Sequence, residues 1–450
     1  MKYISKINII IFLATIICGG LSYFVLPKKT ISLSEKRTLT SLPKLNAIAY
    51  LSGNWCDSID MYINDQSPLR NEMVRIASQI KYNMGIHIPN QERIVEVKRR
   101  KKHVIKSPNK SDSLQTQQIL LDDIEESYSG GMLIVNGSVF TLNSGSTKMG
   151  KVFGTMISKY AKELQGITRV FSAVPPLSSA FIPAEKYKHF NSKNQQTLLA
   201  IGESLTNGAV FCDVLGELNK HRDKKLFFST DHHWTPLGAY YGYVSFCNKA
   251  GFDPIPLEQM ERKVKYNFLG TLYELTRDKS VEDNPDTMEY YIPEIKTTAI
   301  AYNATDFKNS RKTSVFCNGC SGGNSYSTFL CGDIPLIKIK TDVKNGKKAL
   351  VIKNSYGNAF SVFLISHYEE IYVMDFRYSE HNILNIIRDN NINDLIFAVG
   401  MYGAMADGTI KRMYNLGFNN GLVKKKVVVP VDSLLKLEVK KTDTLNFEKK

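Results

Sequence analysis

The chain has 450 residues, of which 43% are hydrophobic and 22% are charged. It is therefore long enough for a large buried core and too apolar for wholesale disorder. A formal net charge of +15 favours anionic partners such as nucleic acid, phospholipid headgroups or acidic polysaccharide. The sequence has neither an aromatic RNA-binding strand signature nor zinc-finger spacing, so we expect no nucleic acid partner.

The first predicted element is an N-terminal membrane anchor. Residues Ile7–Leu26 carry no charge and, at about 1.5 Å per residue, can cross a bilayer core as a helix. The apolar run continues past Gly19 and Gly20, which favours an uncleaved signal anchor; a cleaved signal peptide and a buried core helix are the alternatives. We expect residues 1–30 to anchor the chain by this helix. The body would then lie outside the cytoplasm, in the periplasm or at the cell surface.

Residues 31–110 are predicted to form a linker and a short helical region. Apolar side chains recur every three to four residues from Tyr50 to Ile88, which is the spacing of an amphipathic helix. Ser67 followed by Pro68 predicts a helix that begins at this proline.

Residues 111–430 are predicted to form one α/β domain, with a possible insertion at 254–333 and a charged tail at 431–450. Asn136-Gly137 between two short apolar runs predicts a hairpin with a type I′ turn. Strands are predicted in KLFFSTD (225–231), KKALVIKNS (347–355), EEIYVMDFR (369–377) and INDLIFAVG (392–400), and FLGTLYEL (268–275) is a further candidate. Helices between them predict parallel strands, whose carboxyl ends are where ligands gather.

Cysteine spacing adds one local prediction. Cys317 and Cys320 form a CNGC pair, and Cys331 follows. Such a pair can be a disulfide, a redox pair or half of a zinc site. No second CxxC exists in the sequence, so a local disulfide or unpaired thiols are favoured.

A candidate nucleophile follows the strand predicted at 347–353. Ser355 stands where that strand turns into a helix, which exposes a hydroxyl at the sheet edge and points the serine's own N–H at a nascent oxyanion. The alternative is that Ser355 only caps the helix.

A serine nucleophile needs a base and a group that orients the base. Asp231 and His233 are two residues apart in TDHHW, so one ring nitrogen of His233 can meet the carboxylate while the other faces a serine. Zinc is disfavoured because no HExxH or other ligand cluster lies nearby. The remaining alternative is that Asp231 caps a helix that begins near Pro236.

Two long segments resemble the DHHW family, which is named for the tetrapeptide at residues 231–234. They are TDHHWTPLGAYYGY (230–243) and KNSYGNAFSVFLISHYEEIYVMDFRY (353–378), supported by the shorter EKRTL, YINDQSPLR and NFLGTLY (267–273). The family is similar to SGNH-fold O-acetyltransferases of alginate and other bacterial exopolysaccharides. The resemblance covers residues 35 to 400.

The resemblance implies an SGNH-hydrolase-like three-layer α/β/α domain with a parallel sheet. It implies Ser355 as nucleophile, His233 as base and Asp231 as its orienting group, in the inverted chain order of the alginate enzymes. The chain departs from ordinary SGNH esterases in having Asn354 where they carry Asp before the serine. Arg377 would bind the acceptor or stabilise an oxyanion, or alternatively pair with Asp375.

Three further residues complete the predicted site. Tyr356 is placed with the substrate or oxyanion, and His232 and Trp234 would pack or bind beneath the catalytic pair. No metal and no cofactor is expected.

The resemblance further implies an extracytoplasmic O-acetyltransferase acting on a cell-surface or exported polysaccharide through an acetyl-enzyme. The acetyl donor would be a multispanning membrane acyltransferase, and the acceptor a polysaccharide. A carbohydrate acetylesterase with the same triad and a non-catalytic glycan-binding or assembly protein are the alternatives.

Overall fold

The structure is a computed structural model, and it describes residues 2–28, 31–32, 37–45, 47–68, 70–85, 92–95, 131–142 and 145–419. The predicted tail at 431–450 lies outside these residues. The strands are β1 (Ile31–Ser32), β2 (Arg37–Thr38), β3 (Arg93–Val95), β4 (Met132–Val135), β5 (Ser138–Thr141), β6 (Arg169–Ser172), β7 (Val210–Phe211), β8 (Met260–Phe268), β9 (Asp286–Pro293), β10 (Thr297–Tyr302), β11 (Ser310–Thr313), β12 (Leu336–Thr341), β13 (Lys348–Lys353), β14 (Glu370–Asp375) and β15 (Asp394–Ala398).

The α-helices of the described residues are Lys2–Val25, Ala47–Leu51, Asn54–Gln66, Arg70–Met84, Thr147–Glu163, Lys188–Glu203, Val214–Asn219, Pro236–Ala250, Thr271–Thr276, Lys279–Glu282, Tyr356–Ser361, Ile383–Asn390, Met401–Met405 and Asp407–Phe418. Short 3₁₀ segments occupy Ser178–Phe181, Glu185–Tyr187, Leu257–Gln259, Gly322–Thr328 and Val362–Ser366.

The largest sheet of the described residues has the order β11-β10-β12-β14-β13-β15-β6-β7. The five strands from β14 to β7 run parallel. The other three, β12, β10 and β11, extend the sheet in antiparallel fashion. The predicted parallel sheet is therefore confirmed, and an antiparallel extension is added to it. Two of the added strands, β10 and β11, come from residues 254–333.

Helices cover both faces of this sheet, because its central strands are apolar on both sides. In β13, Ala349 and Val351 face one core together with Trp234. Leu350 and Ile352 face a second core. Helices Pro236–Ala250 and Tyr356–Ser361 supply buried side chains to the first core, and helices Thr147–Glu163, Lys188–Glu203, Ile383–Asn390 and Asp407–Phe418 supply them to the second. The result is the predicted three-layer α/β/α arrangement.

Several local predictions are confirmed. Asn136 (φ 50°) and Gly137 (φ 73°) are both left-handed, as a type I′ turn between β4 and β5 requires. The helix after the DHHW segment runs Pro236–Ala250 and ends at Gly251, whose φ of 75° is left-handed. The strands predicted before Ser355 and Arg377 are β13 and β14.

Three local predictions are wrong. Residues 225–231 form no strand; Phe227 makes a single isolated bridge with Trp234, so the apolar run marked burial and not an extended strand. The candidate strand at 268–275 is the last residue of β8 followed by helix Thr271–Thr276. The helix predicted to begin at Pro68 begins at Arg70.

The described residues contain one helix that is long and apolar enough to span a membrane. It is Lys2–Val25, with its most apolar window at Lys6–Tyr23. This agrees with the predicted location of the N-terminal anchor.

A disulfide joins Cys317 to Cys331, and Cys320 is a free thiol. The bond is local, as predicted, but it does not join the two cysteines of the CNGC pair. Disulfides persist in oxidising compartments and are rare in the cytosol.

We expect a second buried histidine, His367, to make the stability of the fold pH-dependent. His367 is buried, with its ring stacked on Phe252 and its Nε2 2.5 Å from the Tyr243 hydroxyl. Burial, reinforced by Lys347, lowers the pKa of His367 from its ordinary value to about 4. The unfolded chain takes up this proton near pH 6.5, whereas the folded chain does so near pH 4. The free energy of unfolding should therefore fall as pH drops through this window, by up to about 3 kcal/mol.

The check is the thermal midpoint of the chain between pH 7 and pH 4. His367→Gln should flatten the dependence, and replacement of the exposed His189 by Gln serves as the control. Equal pH dependence in His367→Gln and the unsubstituted chain would contradict the assignment.

Candidate active site

Ser355 lies at the carboxyl end of β13, which pairs in parallel with β14 on one side and β15 on the other. β13 carries the chain through the core to Lys353, and helix Tyr356–Ser361 begins immediately after the serine. The Ser355 side chain makes no capping bond to this helix. Ser355 therefore occupies the N-cap position of this helix without capping it through its side chain.

The side chain of Asn354 holds the turn between β13 and the helix that follows Ser355. Its Oδ1 accepts from the N–H of Gly400, beyond the end of β15, at 3.0 Å and from the N–H of Tyr356 at 3.3 Å. The asparagine thus joins the carboxyl ends of two neighbouring strands. Asn354, which stands where ordinary SGNH esterases have Asp, therefore accepts hydrogen bonds from backbone N–H groups.

Asp231, His233 and Ser355 form one continuous chain of hydrogen bonds. His233 Nδ1 lies 2.6 Å from Asp231 Oδ1, and His233 Nε2 lies 2.7 Å from Ser355 Oγ. Both Asp231 and His233 are buried. With the proton on Nδ1, the ring donates to the carboxylate and accepts from the serine hydroxyl, as a general base paired with a nucleophile does. The distance from His233 to Ser355, which the predicted triad requires to be short, is therefore within hydrogen-bond range.

Among the described residues, at least four hydrogen bonds hold the carboxylate of Asp231, counting the one from His233 Nδ1. Oδ1 also accepts from the His233 N–H at 3.0 Å, and Oδ2 accepts from the Thr271 N–H at 2.8 Å and its hydroxyl at 3.0 Å. The predicted alternative, Asp231 as a helix cap, is wrong because Thr235 caps helix Pro236–Ala250 by accepting from the Gly238 N–H at 3.1 Å.

The backbone before Asp231 is held by a second buried carboxylate. Asp286, at the start of β9, accepts from the N–H groups of Ser229 at 3.0 Å and Thr230 at 2.8 Å. The β4–β5 hairpin adds a bond from the Val139 N–H to the Ser229 carbonyl at 2.8 Å. Residues 229–231 lie outside every described strand, so these contacts take the place of a sheet in fixing them.

Gly270 lies against Asp231 so closely that a Cβ would overlap the aspartate side chain. We expect Gly270→Ala to displace the carboxylate and to lower the reactivity of Ser355 toward an activated ester by about 10²-fold, the cost of a misplacement near 1 Å. The measurement is the rate of ester cleavage by the purified chain. Gly408→Ala is the matched control, because open space surrounds Gly408. Equal rates for the two variants would contradict the expectation.

The other residues of the DHHW motif support the pair. Trp234 is 1% exposed, and its Nε1 donates to the Tyr356 carbonyl at 3.0 Å. The Tyr356 hydroxyl in turn donates to the His232 carbonyl. Tyr356, the residue after Ser355, is thus bonded to the residues on both sides of His233. The His232 ring lies 3.8 Å from the His233 ring, and its side chain is 17% exposed.

Arg377 lies in a charge network with Lys353 and Asp375, which are buried, and Asp333, whose side chain is 25% exposed. Its guanidinium contacts Asp375 at 2.7 Å and Asp333 at 2.9 Å, and Lys353 Nζ contacts the same carboxylates at 2.7 and 3.2 Å. Lys353 is fully buried. Although burial opposes it, Arg377 and Lys353 hold the pKa of Asp333 well below its usual range. The ion pair with Asp375 that was the alternative for Arg377 is present.

Donor atoms of Asp231, His232 and His233 lie within 4.8 Å of one another, which is a spacing that a metal ion can use. Both ring nitrogens of His233 are engaged, with Asp231 and Ser355. As it stands, the geometry is that of a proton-transfer chain.

The sequence prediction missed the residues of the site that lie between 254 and 333. Thr271 binds Asp231, Asp333 binds Lys353, and the ring of Tyr326 stacks on His233. One signal was present, because the NFLGTLY segment contains both Gly270 and Thr271. Nothing in the local pattern around Tyr326 or Asp333 indicated a partner.

The three-layer architecture with this sheet is SGNH-hydrolase-like, and comparisons with known proteins give the family. The chain belongs to the DHHW family, whose sequence profile, described as DHHW protein, matches residues 111–374. Among curated proteins, none is significantly similar to this chain.

Three of the solved structures similar to this chain are the following. A DHHW family protein from Eubacterium siraeum is 31% identical, with 64% of this chain and 96% of that chain covered and a TM-score of 0.58. PatB1 from Bacillus cereus is 20% identical, with 62% and 98% covered and a TM-score of 0.51. PatB1 with a sulfonyl adduct is 19% identical, with 62% and 99% covered and a TM-score of 0.50. The likeness to PatB1 is one of fold.

Proposed function

We propose that the chain is an extracytoplasmic O-acetyltransferase that modifies a cell-surface or exported polysaccharide through an acetyl-Ser355 intermediate. The observation that carries the proposal is the hydrogen-bond chain from Asp231 through His233 to Ser355, with distances of 2.6 and 2.7 Å. The resemblance to the DHHW family and its acetyltransferase relatives supports acetyl as the group transferred.

In the first step, Ser355 Oγ attacks the carbonyl carbon of the acetyl donor while its proton passes to His233 Nε2. Asp231 stabilises the resulting imidazolium through Nδ1. The backbone N–H of Ser355 stabilises the oxyanion of the tetrahedral intermediate. Collapse breaks the bond to the donor, whose leaving group takes the proton from His233, and leaves acetyl-Ser355.

In the second step, a sugar hydroxyl gives its proton to His233 Nε2 and attacks the acetyl carbon. The tetrahedral intermediate then collapses, the acetyl ester of the sugar leaves, and Ser355 Oγ recovers its proton from His233. If water takes the place of the sugar hydroxyl, the same steps release acetate, and the chain is an esterase.

The side chains around the triad have two proposed roles, which are binding the acceptor and positioning the catalytic residues. His232 is partly exposed beside His233, so we assign its ring to the acceptor side. Trp234, Tyr356 and Arg377 are buried. We assign them to positioning the catalytic residues, so that they affect the substrate indirectly.

The proposed location agrees with two observations. Helix Lys2–Val25 is long and apolar enough to anchor the chain, and the Cys317–Cys331 disulfide suits an oxidising compartment. Acetyl groups would then have to reach the site across the membrane, so we propose a multispanning acyltransferase as the donor partner. The net charge of +15 favours an acidic polysaccharide as acceptor.

The test uses the full-length chain in detergent with p-nitrophenyl acetate, with and without an acidic bacterial polysaccharide. We expect p-nitrophenol release, an acetyl group on the peptide that contains Ser355, and transfer of acetyl to the polysaccharide. Acetate release without transfer would favour the esterase. If Ser355 reacts neither with the ester nor with a sulfonyl fluoride, the proposal is wrong and a non-catalytic role is favoured.

A further inference from the structure

The imidazole of His233 is covered on one face by an aromatic ring that the mechanism above does not use. The Tyr326 ring lies parallel to it, with ring centroids 3.9 Å apart and an interplanar angle of 10°. Tyr326 is 4% exposed and meets Phe329 and Phe228 edge-on, at 5.6 and 6.3 Å. The tyrosine ring is therefore held between aromatic side chains and the imidazole.

A closed loop presents this ring. In residues 315–331, which we call the disulfide loop, the Cys317 N–H donates to the Thr328 carbonyl and the Leu330 N–H to the Val315 carbonyl, both at 2.8 Å. The Cys317–Cys331 disulfide joins the two ends. The stacked tyrosine lies inside this closure, five residues before its second cysteine.

The backbone at the end of the loop is in an unfavourable conformation. Leu330 and Cys331 are consecutive left-handed residues, both with φ of 57°. For residues with a Cβ this conformation is uncommon, and for a bulky residue such as leucine it is an outlier. It persists only where the surroundings over-determine it, and here the disulfide is one of the bonds that do so.

We propose that Tyr326 is a positioning residue for His233, and that the Cys317–Cys331 disulfide keeps it stacked, so that reduction of the disulfide slows acyl transfer. The inference rests on the proposed function, in which His233 moves the proton. It adds a redox-sensitive support to that site.

Two physical effects make the stack matter. A parallel ring at van der Waals distance restricts rotation of the imidazole, which keeps Nε2 directed at Ser355. When His233 carries a second proton during each step, the face of the tyrosine ring attracts the cation. The other groups that face the imidazole are Asp231, the Ser355 hydroxyl, the His232 ring at 3.8 Å and the Tyr356 ring at 5.1 Å. None of these is substituted in the test.

The first test compares Tyr326→Leu with Tyr326→Phe. The leucine variant removes the aromatic face and should lower kcat for p-nitrophenyl acetate by about 3- to 30-fold with little change in KM. The phenylalanine variant keeps the face and should stay within about twofold of the unsubstituted chain. Equal losses in both variants, or no loss in the leucine variant, would overturn the proposal.

The second test couples the tyrosine to the disulfide. Dithiothreitol should slow the unsubstituted chain by a similar factor and have little further effect on Tyr326→Leu, because interacting sites are not additive. Cys320→Ser in both backgrounds removes the free thiol and prevents exchange within the loop. If reduction has no effect, or slows both chains equally, the disulfide does not act through Tyr326.

A third measurement does not depend on turnover. The chain has eight histidines and is labelled with ¹³C-histidine. The His233 resonance is identified as the one that disappears in His233→Gln. Its ring-current shift should be lost in Tyr326→Leu and on reduction, and kept in Tyr326→Phe. If these shifts occur but no ester reacts, the proposed function fails while the positioning stands. If the resonance does not move, the positioning fails whatever the activity.

Discussion

Ser355→Ala is expected to lower kcat/KM for p-nitrophenyl acetate by roughly 10³- to 10⁶-fold, the range found when the nucleophile of a serine triad is removed. The Ser355 hydroxyl is the group that would form the acetyl ester, so its removal prevents the acetyl-enzyme from forming. The variant should also lose the acetyl adduct and the sulfonyl adduct in intact-mass measurements.

Ser361→Ala is the matched control for this variant. Ser361 is a buried serine on the helix that Ser355 precedes, and its hydroxyl donates to the Gly357 carbonyl at 2.7 Å. Its loss should cost about 1 kcal/mol of stability and little activity. If Ser355→Ala stays within tenfold of Ser361→Ala, Ser355 is not the nucleophile. Asp231→Asn would test the orienting group and should lose up to about 10⁴-fold.

Lys353→Met is expected to lower the free energy of unfolding by about 3–5 kcal/mol, as removal of one partner from a buried ion pair does. The ammonium group lies between Asp375 and Asp333 at 2.7 and 3.2 Å. Without this ammonium group, Arg377 is the one cation of the network that contacts both carboxylates. The thermal midpoint should fall by about 10 °C.

The control is Lys340→Met. Lys340 pairs with Glu370 at 3.3 Å, but its side chain is 61% exposed, and an exposed pair contributes about 0–1 kcal/mol. Adding Asp375→Asn to Lys353→Met should recover part of the loss, since the two residues interact directly. Equal midpoints for Lys353→Met and Lys340→Met would show that the network does not stabilise the fold.

Much of the candidate site could be predicted because it lies in two continuous segments. β13 and the turn at Ser355 follow from an apolar run that ends in a polar turn. The Asp231 and His233 spacing follows from TDHHW. Their meeting could be stated as a hypothesis about one distance, because 122 residues separate His233 from Ser355 and no local pattern reports such a contact.

The parts that could not be predicted depend on contacts across long separations. Thr271 reaches Asp231 from 40 residues away, and Tyr326 and Asp333 belong to a region whose strands pair outside the parallel core. The error at 225–231 has a related cause: Phe227 and Phe228 are buried, and burial without a ladder of hydrogen bonds looks the same in sequence as a strand.

The loop that carries Asp231 and His233 lies outside the described strands, held instead by Asp286, the β4–β5 hairpin and Gly270. These contacts are not part of the sheet, so the hydrogen-bond ladders of the sheet can form during refolding before the loop brings the histidine to the serine. Ester cleavage should return later than the far-ultraviolet circular dichroism of the sheet. Recovery of activity thus reports the docking of the segments that carry Gly270 and Asp286 onto the loop, a later event than formation of the sheet.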